Sequence, residues 1–323
     1  VTTEDEIRAA RQVMRRVQAH LLDAHQQMGA QVENVGFVDV IHHPTTELPY
    51  LNYVTPRRNT AWVSAQHITD GLHHLEALQR EARLRFAEGL YPPMFQKALF
   101  STGLILEEET PVSVYTIDPD RPFIVPYIAS HYRVRQVNSA EGMGIWWYVW
   151  RNAHYDVQTT SIEPLHLGMD LRGVTLGQRI DLILYRHDFP VGVARITCHE
   201  GSAHLSAQAL LHEVRSDDLA LRLQALAVQA AIQADCDLIF VAGSHDDERE
   251  RARNLGFVDV SSMLCYAQPA PAAQSDDAAV ASESGASVRS ETVPAPSVHT
   301  TEAAPDDIPD EPQAMRPRAV YLS

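Results

Sequence analysis

Between residues 200 and 220 the chain gathers the side chains best suited to handle a proton or an anion: Glu200, His204, His212, Glu213, Arg215, Ser216, Asp217 and Asp218. A histidine or carboxylate held against an amine or hydroxyl can serve as its general base. An arginine just ahead of a helix start offers a cation beside unpaired backbone N–H donors, a setting for an anion. No spacing singles out one base, and His204 and Glu213 stand as the candidates. The run Arg215-Ser216-Asp217-Asp218-Leu219-Ala220 has two readings. It is a plain helix cap, with Ser216 at the cap and two carboxylates at the positive end of the helix, or an anion cradle with two carboxylates inside it.

Other polar clusters point to less chemistry. His42-His43 and His73-His74 are adjacent pairs, which rarely converge on one ion, and no carboxylate–histidine spacing accompanies them, so no metal site is expected. His20 and His25 lie five apart on a helical pattern, on different faces, and read as surface residues. Cys198, Cys236 and Cys265 are widely spaced with no CxxC pair, which argues against a disulfide framework or zinc site and for a reducing, cytoplasmic setting.

The elements that must position these residues follow from periodicity. Residues 4–31 repeat apolar or small positions near the 3.6 period, with Thr3 and Glu6 spaced as a capping box and Gly29 as terminator. Strands are expected at 35–41 and 51–54, the second fenced by Pro49 and Pro56. An amphipathic helix at 68–82 leads to a strand at 84–87, a helix at 94–100 opened by Pro92-Pro93, Gly103 and a strand pair reaching Tyr115. Asp118-Pro119-Asp120-Arg121-Pro122 reads as a boundary. Beyond it come a strand at 132–137 and an aromatic stretch (Trp146, Trp147, Tyr148, Trp150) that suits core or interface packing. A hairpin over 179–196 turns at Arg186-His187-Asp188. A strand at 204–211, a helix at 219–233, a strand at 238–242, a helix at 247–254, Leu255-Gly256-Phe257 and a closing strand complete the folded part.

The chain has 323 residues, 45% of them hydrophobic, enough for two well-filled domains. A net charge of −16 argues against nucleic acid or an anionic membrane as main partner. No apolar run approaches the roughly 20 residues that span a bilayer, and the acidic stretch 1–6 does not read as a secretory signal. After Tyr266 the composition turns to Ala, Pro, Ser, Thr, Asp and Glu, too polar to offset its ordering entropy, so a disordered tail is expected, ending in a basic and apolar segment at 315–322.

Two runs share one order of elements. Helix 68–82, strand 84–87, helix 94–100, Gly103 and a strand match helix 219–233, strand 238–242, helix 247–254, Gly256 and a strand. Equal order with similar lengths suggests two copies of one unit. Over residues 35–266 this arrangement resembles the tandem GNAT proteins, acyl-CoA-dependent N-acetyltransferases. The resemblance implies an α/β (α+β) fold of two GNAT-like domains, each a mixed, mostly antiparallel sheet flanked by helices: residues 1–118, a degenerate copy expected to bind no CoA, and 119–266, with the tail at 267–323. It implies transfer of an acetyl group from acetyl-CoA to a small-molecule or peptide amine. It places the cofactor along Leu210, Leu211 and His212, with pantetheine pairing the free backbone of the fourth strand. The pyrophosphate falls at Arg215, Ser216, Asp217, Asp218, Leu219 and Ala220. Arg215 and Ala220 match the two ends of the family's loop pattern, whereas Asp218 stands at its glycine. Like charges about 4 Å apart cost on the order of 4 kcal/mol at an effective dielectric near 20. Ala252 stands where the family carries a tyrosine that protonates the departing thiolate, and Tyr266 is too far along to replace it. The alternative reading is a non-catalytic pseudo-acyltransferase that binds a protein partner.

Overall fold

The structure, a computed structural model, describes residues 4–57, 60, 62–118, 120–155, 164–243 and 246–269, with backbone alone at 164–166. Thr3 of the expected capping box and the polar tail from 270 onward, with its basic end, lie outside the described residues.

The first half opens with α1 (Glu4–Gln27), followed by β1 (Gln31–Val35), β2 (Val38–His42) and β3 (Tyr53–Pro56). Then come α2 (Ala65–Ala77), β4 (Arg83–Ala87), α3 (Pro93–Ser101) and β5 (Ile105–Thr116). The second half runs β6 (Tyr132–Gln136), α4 (Ala140–Tyr155), α5 (Pro164–Thr175), β7 (Arg179–Arg186), β8 (Phe189–His199) and β9 (Ser202–Leu210). It closes with α6 (Asp217–Gln233), β10 (Leu238–Ala242), α7 (Asp246–Asn254) and β11 (Val258–Ala267). The run from a strand through a helix to a parallel strand, then a helix and an antiparallel strand, occurs twice: β3-α2-β4-α3-β5 and β9-α6-β10-α7-β11.

Among the described residues the strands form a single eleven-stranded sheet in the order β1-β2-β3-β4-β11-β5-β10-β9-β8-β7-β6. Each half surrenders its last strand to the other. β5 pairs antiparallel with β10 of the second half, β11 pairs antiparallel with β4 of the first, and the two exchanged strands pair with each other along their length. The strand pair expected after Gly103 is therefore one long strand. Its first residues, Ile105 to Glu109, have β11 on one side and stay exposed or half-buried, whereas Val112 to Val114 lie between β11 and β10.

Alternation along the strands sorts the helices onto two faces. Leu84 and Phe86 face α2 and α3, while Ala87 faces α1. Leu238 and Phe240 face α1, while Ile239 and Val241 face α6 and α7. Met14, Val17 and Leu21 of α1 pack on strands from both halves, so α1 is a core helix. His20 and His25 are accordingly buried, which corrects the surface reading: His20 sits between the Ser202 and Thr197 hydroxyls, each at 2.8 Å, and His25 bonds the Tyr53 hydroxyl at 2.9 Å. The aromatic stretch forms the core face of α4, with Trp146 and Trp150 against Ile183, Val193 and Ala207.

Candidate functional site

β9 and β10 run parallel and pair over only three positions, Ser202–His204 against Leu238–Phe240. Past that point β9 follows β8 as far as Leu210, while β10 follows β5. A bulge assists the divergence: Arg195 opposes Ala207 and Ile196 opposes Leu205, leaving Ser206 as the extra residue. A bulge bends its strand and raises local twist. It also shifts the alternation, so Ala203 faces α6 whereas Ala207 and Ala209 face α4. The two strands therefore splay as the arms of a V, and the β9 edge that faces β10, from Leu205 to Leu210, has no strand partner.

At the mouth of the V the chain turns through a short 3-10 segment, His212–Val214, and starts α6. Ser216 is the N-cap, its hydroxyl accepting from the Leu219 N–H at 3.2 Å. Ala220 accepts from the Gln208 side chain at 2.8 Å, which ties the first turn to β9. The two aspartates are both engaged by arginines. Asp218 accepts two bonds from Arg222, at 2.7 and 2.8 Å, one turn along the helix. Its carboxyl is held below the usual range by that hydrogen bond and charge. Asp217 pairs with Arg251 of α7 at 3.5 Å. The like-charge penalty expected at the helix start is thereby reduced, since each carboxylate has a cationic partner. Arg215 donates from one nitrogen to two carbonyls, Ala153 at 3.0 Å and Leu210 at 3.2 Å, fastening the end of α4 to the end of β9.

The structure thus brings Leu210, Leu211, His212 and residues 215–220 together at one cleft mouth. Leu210 and Leu219 are buried, and His212 and Glu213 are exposed on the 3-10 segment. His204 lies elsewhere. It is on the α1 side of the sheet, stacked on Phe240 with ring centroids 4.6 Å apart. Burial, with lesser contributions from His25 and Arg85, pushes its pKa down to about 3, so it is neutral. Glu200 sits in the β8–β9 hairpin, at the far end of β9 from Leu210. Ala252 is fully buried in α7, and Tyr266 stacks on Phe86 in the first half.

Two groups at the cleft mouth carry no signal in the sequence reading. His154 lies in the last turn of α4, its ring tilted against Trp150 with centroids 3.9 Å apart. Glu248 lies in the first turn of α7, and a side chain on Gly243 would meet its carboxylate at 3.0 Å. Extending the aromatic stretch by one turn would have shown Trp150 and His154 at an i, i+4 spacing, on one helix face.

The first half has a splay of its own: β3 and β4 pair only at Val54 and Leu84. A groove of about 530 Å³ opens beside it, lined by Thr55 and Pro56, by Leu90 and Tyr91, and by Gln18 of α1. The paired histidines do not act as pairs. One from each, His42 and His74, bonds the Glu33 carboxylate at 3.0 and 2.6 Å, while His43 bonds the Met28 carbonyl.

No protein-family model and no curated protein matches the chain. Solved structures do. A GCN5-related N-acetyltransferase from Kribbella flavida is 16% identical, with a TM-score of 0.61, over 80% of this chain and 96% of its own. One from Sphaerobacter thermophilus is 10% identical, with a TM-score of 0.53, over 72% and 81%. A tandem GNAT protein from the clavulanic acid biosynthesis pathway is 12% identical, with a TM-score of 0.51, over 71% and 77%. At these identities the likeness is one of fold. The chain has the GNAT fold in its tandem form, with the last strands exchanged between halves. Among the described residues no helix is long and apolar enough to cross a membrane.

Proposed function

We propose that the chain is an acyl-CoA-dependent N-acyltransferase whose donor site is the cleft between β9 and β10. The observation that carries the reading is the early end of β9–β10 pairing, at His204 and Phe240, with a capped helix start at the mouth of the splay. The unpartnered backbone of β9 can pair an extended pantetheine arm as an added strand would. The start of α6 supplies N–H donors and a positive dipole end for the pyrophosphate. The residues fit that group because Arg222 and Arg251 draw Asp218 and Asp217 into ion pairs. Acetyl-CoA, when bound, supplies the activated acyl group; the chain's own part is to hold an amine against it, and positioning is the larger share of such catalysis.

Isothermal calorimetry with acetyl-CoA tests the reading. One-to-one binding, weakened in an Arg251→Glu variant that leaves Asp217 without its cationic partner, is expected; no heat at millimolar ligand overturns it. The burial of Ala252 favours a second reading, binding without turnover. Under it acetyl-CoA binds and no amine releases the CoA thiol. Cytoplasmic residence and an amine or peptide acceptor belong to the same proposal.

A further inference from the structure

His154 stands where three elements meet at the mouth of the cleft. Arg215 holds the Ala153 and Leu210 carbonyls on one nitrogen, so the residue after Ala153 lies beside the end of β9. Across the splay, Glu248 packs over Gly243, just past the end of β10, and its charge reaches the His154 ring. The ring is half-buried on Trp150, and its Nδ1 lies 2.9 Å from the Trp150 carbonyl oxygen. A carbonyl only accepts, so Nδ1 carries the proton and Nε2 carries the lone pair. Among the described residues Nε2 has no hydrogen-bond partner. Burial, and then the charge of Arg215, hold the imidazole below its ordinary range against the pull of the Trp150 carbonyl and Glu248. The ring is therefore neutral near pH 7, as a base must be.

We propose that His154 is the general base of the acyl transfer, taking through Nε2 the proton that the acceptor amine loses as it attacks. The proposal rests on the acyl-transfer reading above. The amine nitrogen bonds to the acyl carbon, the C–S bond breaks and its electron pair goes to sulfur. The proton held on Nε2 passes to the thiolate, which leaves an amide, free CoA thiol and a neutral His154. The charge of Glu248 acts on the same ring and favours its charged form while the proton is there.

Carbethoxylation of the full chain by diethyl pyrocarbonate, mapped by mass spectrometry with and without acetyl-CoA, tests the placement without any turnover. Modification of His154 that saturating acetyl-CoA suppresses is expected. Calorimetry on the same sample separates the failures. Acetyl-CoA that binds without protecting His154 overturns this inference and leaves the acyltransferase reading in place; acetyl-CoA that does not bind overturns both. The kinetic arm uses acetyl-CoA with benzylamine, read as thiol release. His154→Gln is expected to lower kcat by about 10²–10³-fold, with little change in KM, and to abolish the acid limb of the pH profile. A limb unchanged in the variant overturns the proposal.

Discussion

Asp181 is fully buried on β7, and what it demands of its neighbours shows how single residues organise the second half. Its carboxylate accepts from Arg195 at 2.7 and 3.0 Å, and the same guanidinium donates to Asp170 of α5 at 2.9 Å. Arg195 also lies 4.0 Å from the Trp146 ring centroid, and Arg179 pairs with Asp170. Burial raises the Asp181 pKa even against Arg195, whereas the two arginines outweigh burial at Asp170 and lower its pKa. Removing one member of such a group leaves a buried charge short of a partner, at about 3–5 kcal/mol. Asp181→Ala is therefore expected to lower the urea midpoint by that equivalent, and Asp181→Asn, which keeps the shape and one acceptor, by less. An alanine variant with an unchanged midpoint would show that the network is not holding α5 and β7 together. At this scale the sequence was legible wherever chemistry is local. The cap at Ser216 follows from its own neighbours, because a side chain three residues from an N–H needs no tertiary information. His154 was not legible, since its significance comes from Arg215 and Glu248, which are distant in sequence.

α6 is the element on which the donor site turns, and its first turn can be tested apart from any ligand. Ser216 satisfies one of the orphan N–H groups that every helix start carries. Ser216→Ala is expected to cost about 1 kcal/mol, read as a lower unfolding midpoint, with Ser216→Asp restoring most of it. An alanine variant as stable as the parent would mean that the cap contributes nothing. The order of elements was readable from periodicity, and most strands and helices fall where apolar spacing puts them. The exchange of β5 and β11 was not readable. Both strands have the composition of a strand that closes its own half, and nothing in their local pattern distinguishes the neighbour that β5 has from the one it would have had. Which strand lies beside which is decided by long-range pairing that leaves no periodic trace. β1 was missed for a different reason: Gln31–Val35 is an edge strand with no fully buried residue, so it lacks the alternation that marks a half-buried strand.

The whole molecule is held across its two halves by α1, and the packing of that helix makes folding sensitive to acid. Three histidines are buried along its contact with the sheet. The His20 pKa is lowered to about 2, chiefly by burial and then by the neighbouring His204 and His199. That of His204 is lowered to about 3, and that of His25 lies well below the ordinary value through burial and the nearby Arg85. His20 and His204 are neutral in the folded chain at any pH above 5, and burial favours the neutral form of His25 in the same direction. In the unfolded chain each takes up a proton as pH falls through ~6.5. The unfolded state then binds more protons, so stability falls with falling pH, by up to about 1.4 kcal/mol per unit for each histidine. The paired carboxylates whose pKa values are lowered, such as Asp170, Asp237 and Glu107, contribute above their unfolded pKa of about 4 and lose that contribution only at lower pH. The window from 6.5 to 5 therefore belongs to the histidines. Urea midpoints measured at pH 7 and pH 5 are expected to drop steeply in the parent protein. His204→Phe is the sharper test, because the His204 Nε2 is buried with no hydrogen-bond partner among the described residues and its ring already lies parallel to Phe240. Phenylalanine keeps the stack and removes the titration, so the variant is expected to be at least as stable at pH 7 and to show a shallower fall to pH 5. Parent and variant falling by the same amount would show that His204 has no share in the acid sensitivity.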